Sequence, residues 1–197
     1  MISVNNPLFC TDIMVDLETT STNIPEAAIL QISAVMFNLK EGLVGPSFNR
    51  WLYICPDKRW SPSTHSFWMN NPDHKKILLE GLDQMEEPKL VIDDFVSWVR
   101  KSGVKHFWSK PLSFDYPLLD VYFTKFGYKN PFSYWKARDM RSYLLGLMFP
   151  DPLPDLKVTD KTKAHNALED VKSQINYLLK YHQQYHTAKE KSDEKII

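Results

Sequence analysis

Three strand-like segments lie near the start of the chain, and their order limits the possible folds more than any other feature. Residues 11–17 and 29–39 are rich in Ile, Val, Met and Phe, and residues 47–54 alternate apolar with polar side chains. Such runs predict strands that follow one another directly, which is the arrangement of antiparallel hairpins. The sequence therefore predicts a β-sheet that begins with three antiparallel strands.

After residue 88 the pattern changes to alternating helices and strands. Five apolar residues recur at helical spacing in the next segment: Val91, Ile92, Phe95, Val96 and Val99. Gly103 follows them where a helix C-cap is expected. A short strand over residues 104–109 precedes a helix over residues 114–126, and a strand over residues 134–138 precedes a helix that reaches residue 148. The expected fold is an α/β mixed sheet of five strands flanked by helices.

Length and composition predict one folded domain. A chain of 197 residues that is 43 % hydrophobic can bury a single core. We expect a single domain over residues 1–187, with a loop over residues 150–163 and a charged tail over residues 188–197. Basic and acidic residues both number 24, so any binding of nucleic acid must depend on local charge rather than on net charge.

Cysteine usage and the N-terminal sequence predict a cytoplasmic protein. Only Cys10 and Cys55 occur, without metal-ligand spacing or the density of a disulfide framework. The N-terminus has no basic stretch leading into an apolar run, and residues 12–18 carry three acids. We therefore expect no signal peptide, no membrane span and no membrane partner.

The first candidate site is the pair Asp16 and Glu18 at the end of the first long strand. Because side chains alternate along a strand, Met14, Asp16 and Glu18 share one face. Two carboxylates side by side at the edge of a core repel each other unless a cation lies between them, and Mg²⁺ or Mn²⁺ fills that role. An isolated Asp-x-Glu is more often a strand end running into solvent, so the pair needs support from other acids.

A second candidate acid, Asp115, lies among aromatic residues just after a predicted strand. Taken alone, it is more typical of an ordinary acid in the first turn of a helix, where the helix dipole favours it. Ser113 is a possible cap for that helix. Asp115 is therefore a candidate site residue only in combination with the other acids.

The most specific feature is His165 followed by Asp170 at the start of a periodic helix. With Asn166 as N-cap, Glu169 falls at the third helical position as in a capping box, and His165 lies on the preceding loop. The competing register makes Thr162 the cap and places His165 inside the helix, about 140° around the axis from Asp170. We prefer the first register, because it lets the histidine and the aspartate act together.

Together, these motifs resemble the DEDDh family of 3′–5′ exonucleases, which is DnaQ-like and has an RNase H-like fold. The resemblance covers about residues 12–185 and follows the order in which the motif residues occur: Asp16, Glu18, Asp115, His165 and Asp170. Within the family the chain is most similar to phage-type DexA-like exonucleases and related exoribonucleases. That closer similarity rests on two segments, Thr64–Trp68 and Arg138–Ser142.

The resemblance implies a two-metal-ion hydrolase. In the family scheme Asp16, Glu18 and Asp170 hold one Mg²⁺ or Mn²⁺ ion, Asp16 bridges to a second, and Asp115 contributes directly or through water. His165 deprotonates the attacking water, a step that suits an imidazole with a pKa near neutral. The site's oxygen ligands also agree with the absence of cysteine motifs.

The expected activity is release of nucleoside 5′-monophosphates from the 3′ end of single-stranded or 3′-overhanging nucleic acid, with DNA slightly favoured over RNA. One alternative is an exoribonuclease or a hydrolase of nucleotide-capped RNA. An alternative of another class is an inactive end-binding or polymerase-associated proofreading module, which the presence of all five motif residues disfavours. If the chain is phage-encoded, its compartment is the host cytoplasm.

Contacts to the substrate are expected from Thr19, Trp68 and Phe114. Thr19 directly follows Glu18, where the family places the terminal nucleotide, and the two aromatic rings are candidates for stacking on bases, at about 1 to 3 kcal/mol per base. Tyr116 is a further stacking candidate. In a chain this rich in aromatic residues, however, such rings more often fill the core.

Several other charged residues are more simply explained by structural roles than by catalysis or binding. A charged loop such as the one that carries Lys157, Lys161 and Lys163 is more often simply solvated. For Asp139 we expect an ion pair with its neighbour Arg138 that orients the next helix. Two histidines, His182 and His186, lie on the final predicted helix. They have the spacing of zinc ligands but lack a third ligand, which favours solvent-facing side chains.

Overall fold

The computed structural model describes residues 2–148 and 165–193 as strands, helices and connecting turns. The strands are β1 (Ile2–Ser3), β2 (Asp12–Thr19), β3 (Ile29–Asn38), β4 (Leu43–Leu52), β5 (Met85–Glu86), β6 (His106–Ser109) and β7 (Ala137–Asp139). The helices are α1 (Pro62–Asn70), α2 (Pro72–Leu82), α3 (Pro88–Arg100), α4 (Leu112–Lys125), α5 (Met140–Met148) and α6 (Ala167–Asp193). Short 3₁₀ turns span Pro7–Phe9 and Tyr134–Lys136.

The described strands form one mixed sheet in the order β1-β4-β3-β2-β6-β7, with β5 also paired to β4. Strands β2 and β4 are both antiparallel to β3, which lies between them. The other pairings are parallel: β6 with β2, β7 with β6, and both β1 and β5 with β4. The α/β class and the antiparallel beginning are confirmed. All five expected strands are present, and the sheet gains β1 and β5, whose two residues each are too short for any periodicity to reveal.

The two central strands are buried on both faces, which explains their nearly continuous apolar sequences. Ile13 and Val15 on β2 pack into a core beneath α3 and α4. Met14 and Val35 point the other way, into a second core formed with α5 and α6. Helices on both sides thus hold β2 rigidly in the middle of the domain.

Strand pairing decides where the candidate acids meet. In the register of β2 with β6, Asp12 lies opposite His106 and Met14 lies opposite Trp108. Because these strands are parallel, their carboxyl ends reach the same edge of the sheet. That edge receives Asp16 and Glu18 from β2, and α4 begins there after β6.

Helices α1 and α2 have no counterpart among the elements expected from the sequence. Each begins with a capping side chain followed by proline: the Ser61 hydroxyl accepts from Thr64 N, and the Asn71 side chain accepts from Asp73 N. A cap residue followed by proline at the first helical position is a recognised start signal. That signal was present in the sequence, but the weak apolar periodicity of both segments gave it no support.

The expected helix cap at Gly103 is wrong. Helix α3 ends at Arg100 with Lys101 as its C-cap. A side chain at Gly103 would bring its Cβ within 2.8 Å of the Leu8 carbonyl oxygen, so the glycine allows two backbone segments to approach.

The structure describes much of the expected C-terminal tail but not the expected loop. No helix within the described ranges is long and apolar enough to cross a membrane. Residues 150–163, expected as a loop, lie outside the described residues. Helix α6 continues to Asp193, through much of the segment expected as a charged tail.

Candidate active site

The structure brings the acids of the first and third motifs together. One carboxylate oxygen each from Asp16, Glu18 and Asp170 lie within 4.8 Å of one another. Asp16 and Glu18 stand two residues apart on β2, and the pairing with β3 shifts just after Glu18, where the strand leaves its regular register. Alternation along the strand turns both carboxylates to one face, where Asp170 at the start of α6 meets them.

Asp115 lies in the first turn of α4 and is buried, with 3 % of its surface exposed. Burial raises the pKa of Asp115 well above its usual value, and the nearby Asp16 raises it further. Its Oδ2 atom is buried and has no hydrogen-bond partner among the described atoms. A buried carboxylate oxygen without a partner is costly, which marks this atom as a potential cation ligand.

The gathered acids repel one another strongly. Burial and then Asp170 raise the pKa of Asp16 to about 7, while burial followed by Asp16, Asp170 and Asp115 raises the pKa of Glu18 well above its usual value. Burial raises the pKa of Asp170 to about 6. The charge of Lys110 lowers the pKa of Asp16 and of Asp170, but it does not outweigh these effects.

The start of α6 has the register preferred from the sequence. The helix begins at Ala167, and the Asn166 side chain accepts a hydrogen bond from Leu168 N at 3.2 Å. His165 lies on the preceding turn with φ of 64°, and its backbone N donates to Asp170 Oδ2 at 3.0 Å. The partner of Glu169 is Lys172 at 2.7 Å, three residues on, rather than the residue of a capping box.

The imidazole of His165 packs against two residues that were not predicted as site residues, although one of them, Phe67, belongs to the Thr64–Trp68 segment of the family resemblance. Its ring centroid lies 4.4 Å from that of His74 and 4.8 Å from that of Phe67. Burial lowers the pKa of His165, and the neighbouring His74 lowers it further. Phe67 and His74 come from α1 and α2, so only the unpredicted helices place them here.

Two buried glutamines lie beside the acids, and one of them bonds directly to Asp16. Gln174 Nε2 donates to Asp16 Oδ1 at 3.0 Å. Gln31, which pairs with Glu18 across the sheet, accepts from Ala167 N at 3.3 Å and donates to Asn49 Oδ1 at 2.9 Å. Gln174 stands four residues after Asp170 on the same helix face, a spacing visible in the sequence. Nothing in the sequence pointed to Gln31.

A cavity of about 340 Å³ opens beside Glu18. Its wall is formed by side chains of β2 and α1: Glu18, Thr19, Thr22, Ser63, Thr64, Phe67 and Trp68. Thr19 and Trp68 therefore line a space next to the acids, although Trp68 is 1 % exposed. Phe114 packs against the core instead and is not part of this wall. Phe67 is 42 % exposed and presents the more accessible ring.

The remaining candidates have structural partners. Asp139 accepts hydrogen bonds from Leu112 N at 2.9 Å and from Ser142 N at 2.8 Å, so it caps two helices, whereas Arg138 lies 3.8 Å from Asp12. The expected pairing of Arg138 with Asp139 is therefore wrong, since each finds a partner elsewhere. Of the histidine pair, His182 is half-buried, with Nδ1 at 2.6 Å from the Tyr143 hydroxyl. The three loop lysines at positions 157, 161 and 163 lie outside the described residues.

Comparison with known proteins identifies the class. A mixed sheet of this topology, with carboxylates gathered at the end of its central strand, defines a DnaQ-like 3′–5′ exonuclease fold. The family model of the 3′-5′ exoribonuclease Rv2179c-like domain matches residues 11–182. The chain therefore belongs to this family, which confirms the exonuclease resemblance, while the closer similarity to phage-type enzymes stays a prediction.

Solved structures of exonuclease I share this fold. E. coli exonuclease I in complex with a dA16 oligonucleotide matches at a TM-score of 0.67 and 17% identity, covering 89% of this chain and 42% of that chain. Exonuclease I from Methylocaldum szegediense matches at a TM-score of 0.62 and 15% identity, covering 86% of this chain and 40% of that chain. This chain thus spans about two fifths of the exonuclease I chains that it matches. No curated protein sequence matches it significantly.

Proposed function

We propose that the chain is a metal-dependent 3′–5′ exonuclease that releases nucleoside 5′-monophosphates from the 3′ end of a single strand. The observation that carries this proposal is the meeting of Asp16, Glu18 and Asp170 oxygens within 4.8 Å. Such a cluster of acids is unfavourable by itself, so its persistence beside the buried Asp115 and His165 points to catalysis.

The residues fit two divalent cations of the Mg²⁺ or Mn²⁺ type. The donor set is entirely oxygen, the ligand type that these ions prefer. The raised pKa values of Asp16, Glu18 and Asp115 show that the pocket favours neutralisation of these groups, and bound cations supply it. Asp16, Glu18 and Asp170 would hold one ion, with Asp16 and Asp115 serving the other. When bound, the ions polarise the scissile phosphate and stabilise the attacking and leaving oxygens.

His165 is proposed as the general base. Its lowered pKa keeps the imidazole neutral near pH 7, so that a ring nitrogen can accept a proton from water. Packing against Phe67 and His74 restricts the ring, and the backbone bond to Asp170 ties its position to the acid cluster. These contacts hold the base beside the acids.

RNA is the first candidate substrate and single-stranded DNA the second. Membership of an exoribonuclease family favours RNA. The hydroxyl groups of Ser63 and Thr64 on the cavity beside Glu18 are compatible with a ribose, since each can donate to or accept from a 2′-hydroxyl. Single-stranded DNA is favoured by the structural similarity to E. coli exonuclease I, which has been solved with bound single-stranded DNA.

Digestion of matched RNA and DNA strands, each labelled at the 5′ end, tests the proposal. With Mg²⁺ we expect a ladder of products shortened from the 3′ end, and no ladder with chelator or with Asp170→Asn protein. Asp83→Asn is the matched control, because Asp83 is exposed and remote from the cluster in sequence and fold. Hydrolysis that persists in chelator, or cleavage at internal positions, would contradict the proposal. The faster of the two ladders identifies the preferred sugar.

A further inference from the structure

A second cavity, of about 900 Å³, lies at the other end of strand β2 from the acid cluster. Its wall includes Asp12, the first residue of β2, whereas Glu18 near the end of that strand belongs to the cluster. Glu18 follows Asp12 by six positions of extended strand, which corresponds to about 20 Å. We call this space the distal cavity, and the proposed hydrolysis uses none of its residues.

Asp12 organises the wall of the distal cavity. The carboxylate is 3 % exposed and accepts hydrogen bonds from the Thr11 hydroxyl at 2.7 Å and from Trp108 Nε1 at 2.8 Å. His106 Nδ1 lies 3.2 Å from Asp12 Oδ1, and Arg138 Nη1 lies 3.8 Å from it. Because an ionised carboxylate only accepts, His106 carries a proton on Nδ1. The charge of Asp12 is thus satisfied inside the protein and fixes its neighbours in place.

The charged groups of the wall, three cations against two acids, leave the distal cavity with a net charge of +1. Lys40, Lys105 and Arg138 supply three cations. Both acids on the wall have partners, since Asp12 is bonded as described and Glu41 lies 3.9 Å from the Lys40 ammonium. The imidazoles of His182 and His186 add ring nitrogens that can donate hydrogen bonds, whereas the Nδ1 proton of His106 already faces Asp12. A half-enclosed wall of cations and N–H donors suits the oxygens of a phosphate group.

Two exposed aromatic rings directly precede β7, the strand that carries Arg138. Tyr134 and Trp135 are 64 % and 81 % exposed, and their ring centroids lie 4.6 Å apart. Lys136 and Arg138 follow them along the chain, and the pairing of β6 with β7 places Phe107 opposite Ala137. The rings therefore stand just outside the strand that carries Arg138 to the cavity. Cations beside exposed rings are typical of surfaces that bind single strands, since phosphates pair with the cations while bases stack on the rings.

We propose that the distal cavity binds the phosphodiester backbone of a single strand, upstream of the 3′ end held by the acid cluster. This inference rests on the proposed function, which assigns the 3′ end to that cluster. The straight line between the two sites runs beneath α6, which buries Met14. A strand that joins them therefore passes over the surface of that helix and needs more than the about six nucleotides that span ~20 Å at ~3.4 Å each. A trinucleotide thus reaches one site, whereas a strand of about 15 nucleotides reaches both, and the longer strand binds more tightly.

Equilibrium binding tests this inference with the full chain carrying His165→Ala in Mg²⁺, a background expected to keep the 3′ end bound while hydrolysis is slowed about 10² to 10⁴-fold. The probes are fluorescein-labelled oligo(A) strands of about 3 and about 15 nucleotides, each measured over a range of salt concentrations. For the long strand we expect Lys105→Ala to reduce the slope of log affinity against log salt by about 0.7, and Lys40→Ala/Lys105→Ala by about 1.4. The gain in affinity from the short to the long strand falls accordingly. Trp135→Ala lowers the affinity for the long strand about fivefold or more.

Lys129→Ala is the matched control, since Lys129 is an exposed lysine that lines neither cavity. It should leave both the salt slope and the length-dependent gain unchanged. The inference is overturned if adding Lys105→Ala behaves like this control, if it weakens both probes equally, or if the His165→Ala protein itself binds both lengths with the same affinity. Failure of the proposed function is seen separately, as absence of hydrolysis in Mg²⁺ by a wild-type protein that still binds the strand.

Discussion

Replacing Asp16 by asparagine is expected to stabilise the metal-free protein while abolishing hydrolysis. Asp16 lies among three other acids, and its pKa is raised from 3.8 to about 7 by burial and then by Asp170. A carboxyl whose folded pKa is raised makes its full contribution to stability below the unfolded value, and that contribution is lost as pH rises through the folded value. Above about pH 7, therefore, the ionised carboxylate opposes folding of the metal-free chain.

The size of the effect follows from the pKa difference. A rise of about three units corresponds to at most about 4 kcal/mol of unfavourable interaction above the folded pKa. Asp16 is partly exposed, so solvent screens some of this energy, and the substitution also removes its attraction to Lys110. We therefore expect Asp16→Asn to raise the unfolding free energy by about 2 kcal/mol. Asparagine keeps an oxygen that can accept the hydrogen bond from Gln174.

Urea denaturation in chelator measures this effect. At about pH 8 the variant should be more stable than the wild type, and at about pH 5 the difference should shrink, because Asp16 is then protonated in the folded wild-type protein. Asp83→Asn should show no such gain, since that side chain is exposed. A variant that is less stable than the wild type at about pH 8 would refute the argument that the cluster is held under electrostatic strain.

Three further predictions concern the same site. Mg²⁺ should raise the melting temperature of the wild type more at about pH 8 than at about pH 5, because the raised pKa values of Asp16 and Asp170 keep protons on the ligands at the lower pH; equal increments in thermal scans would contradict this. His165→Ala should retain strand binding yet lose about 10² to 10⁴ in turnover, and unchanged single-turnover rates would remove it from the mechanism. Gln31→Leu should cost about 1 to 3 kcal/mol of stability, as the Ala167 amide loses its acceptor; an unchanged urea midpoint would show that this bond is dispensable.

Local sequence features were sufficient for the architecture and for the acids. The apolar segments of β2 and β3 predicted strands because both of their faces are buried, and alternation along β2 predicted that Asp16 and Glu18 point the same way. The start of α6 was also predictable, since Asn166 carries its capping signal within a few residues. In each case the physical cause lies in the segment itself.

Only the tertiary structure decided what surrounds those acids. The register of β2 with β6 brings Asp115 to them, α1 and α2 press Phe67 and His74 against His165, and Gln31 reaches across the sheet to the first amide of α6. Asp12 likewise finds partners in Trp108 and Arg138, far away in sequence. These contacts join residues about 90 to 140 positions apart, and no periodicity within a segment records which distant side chain will fill the space beside it.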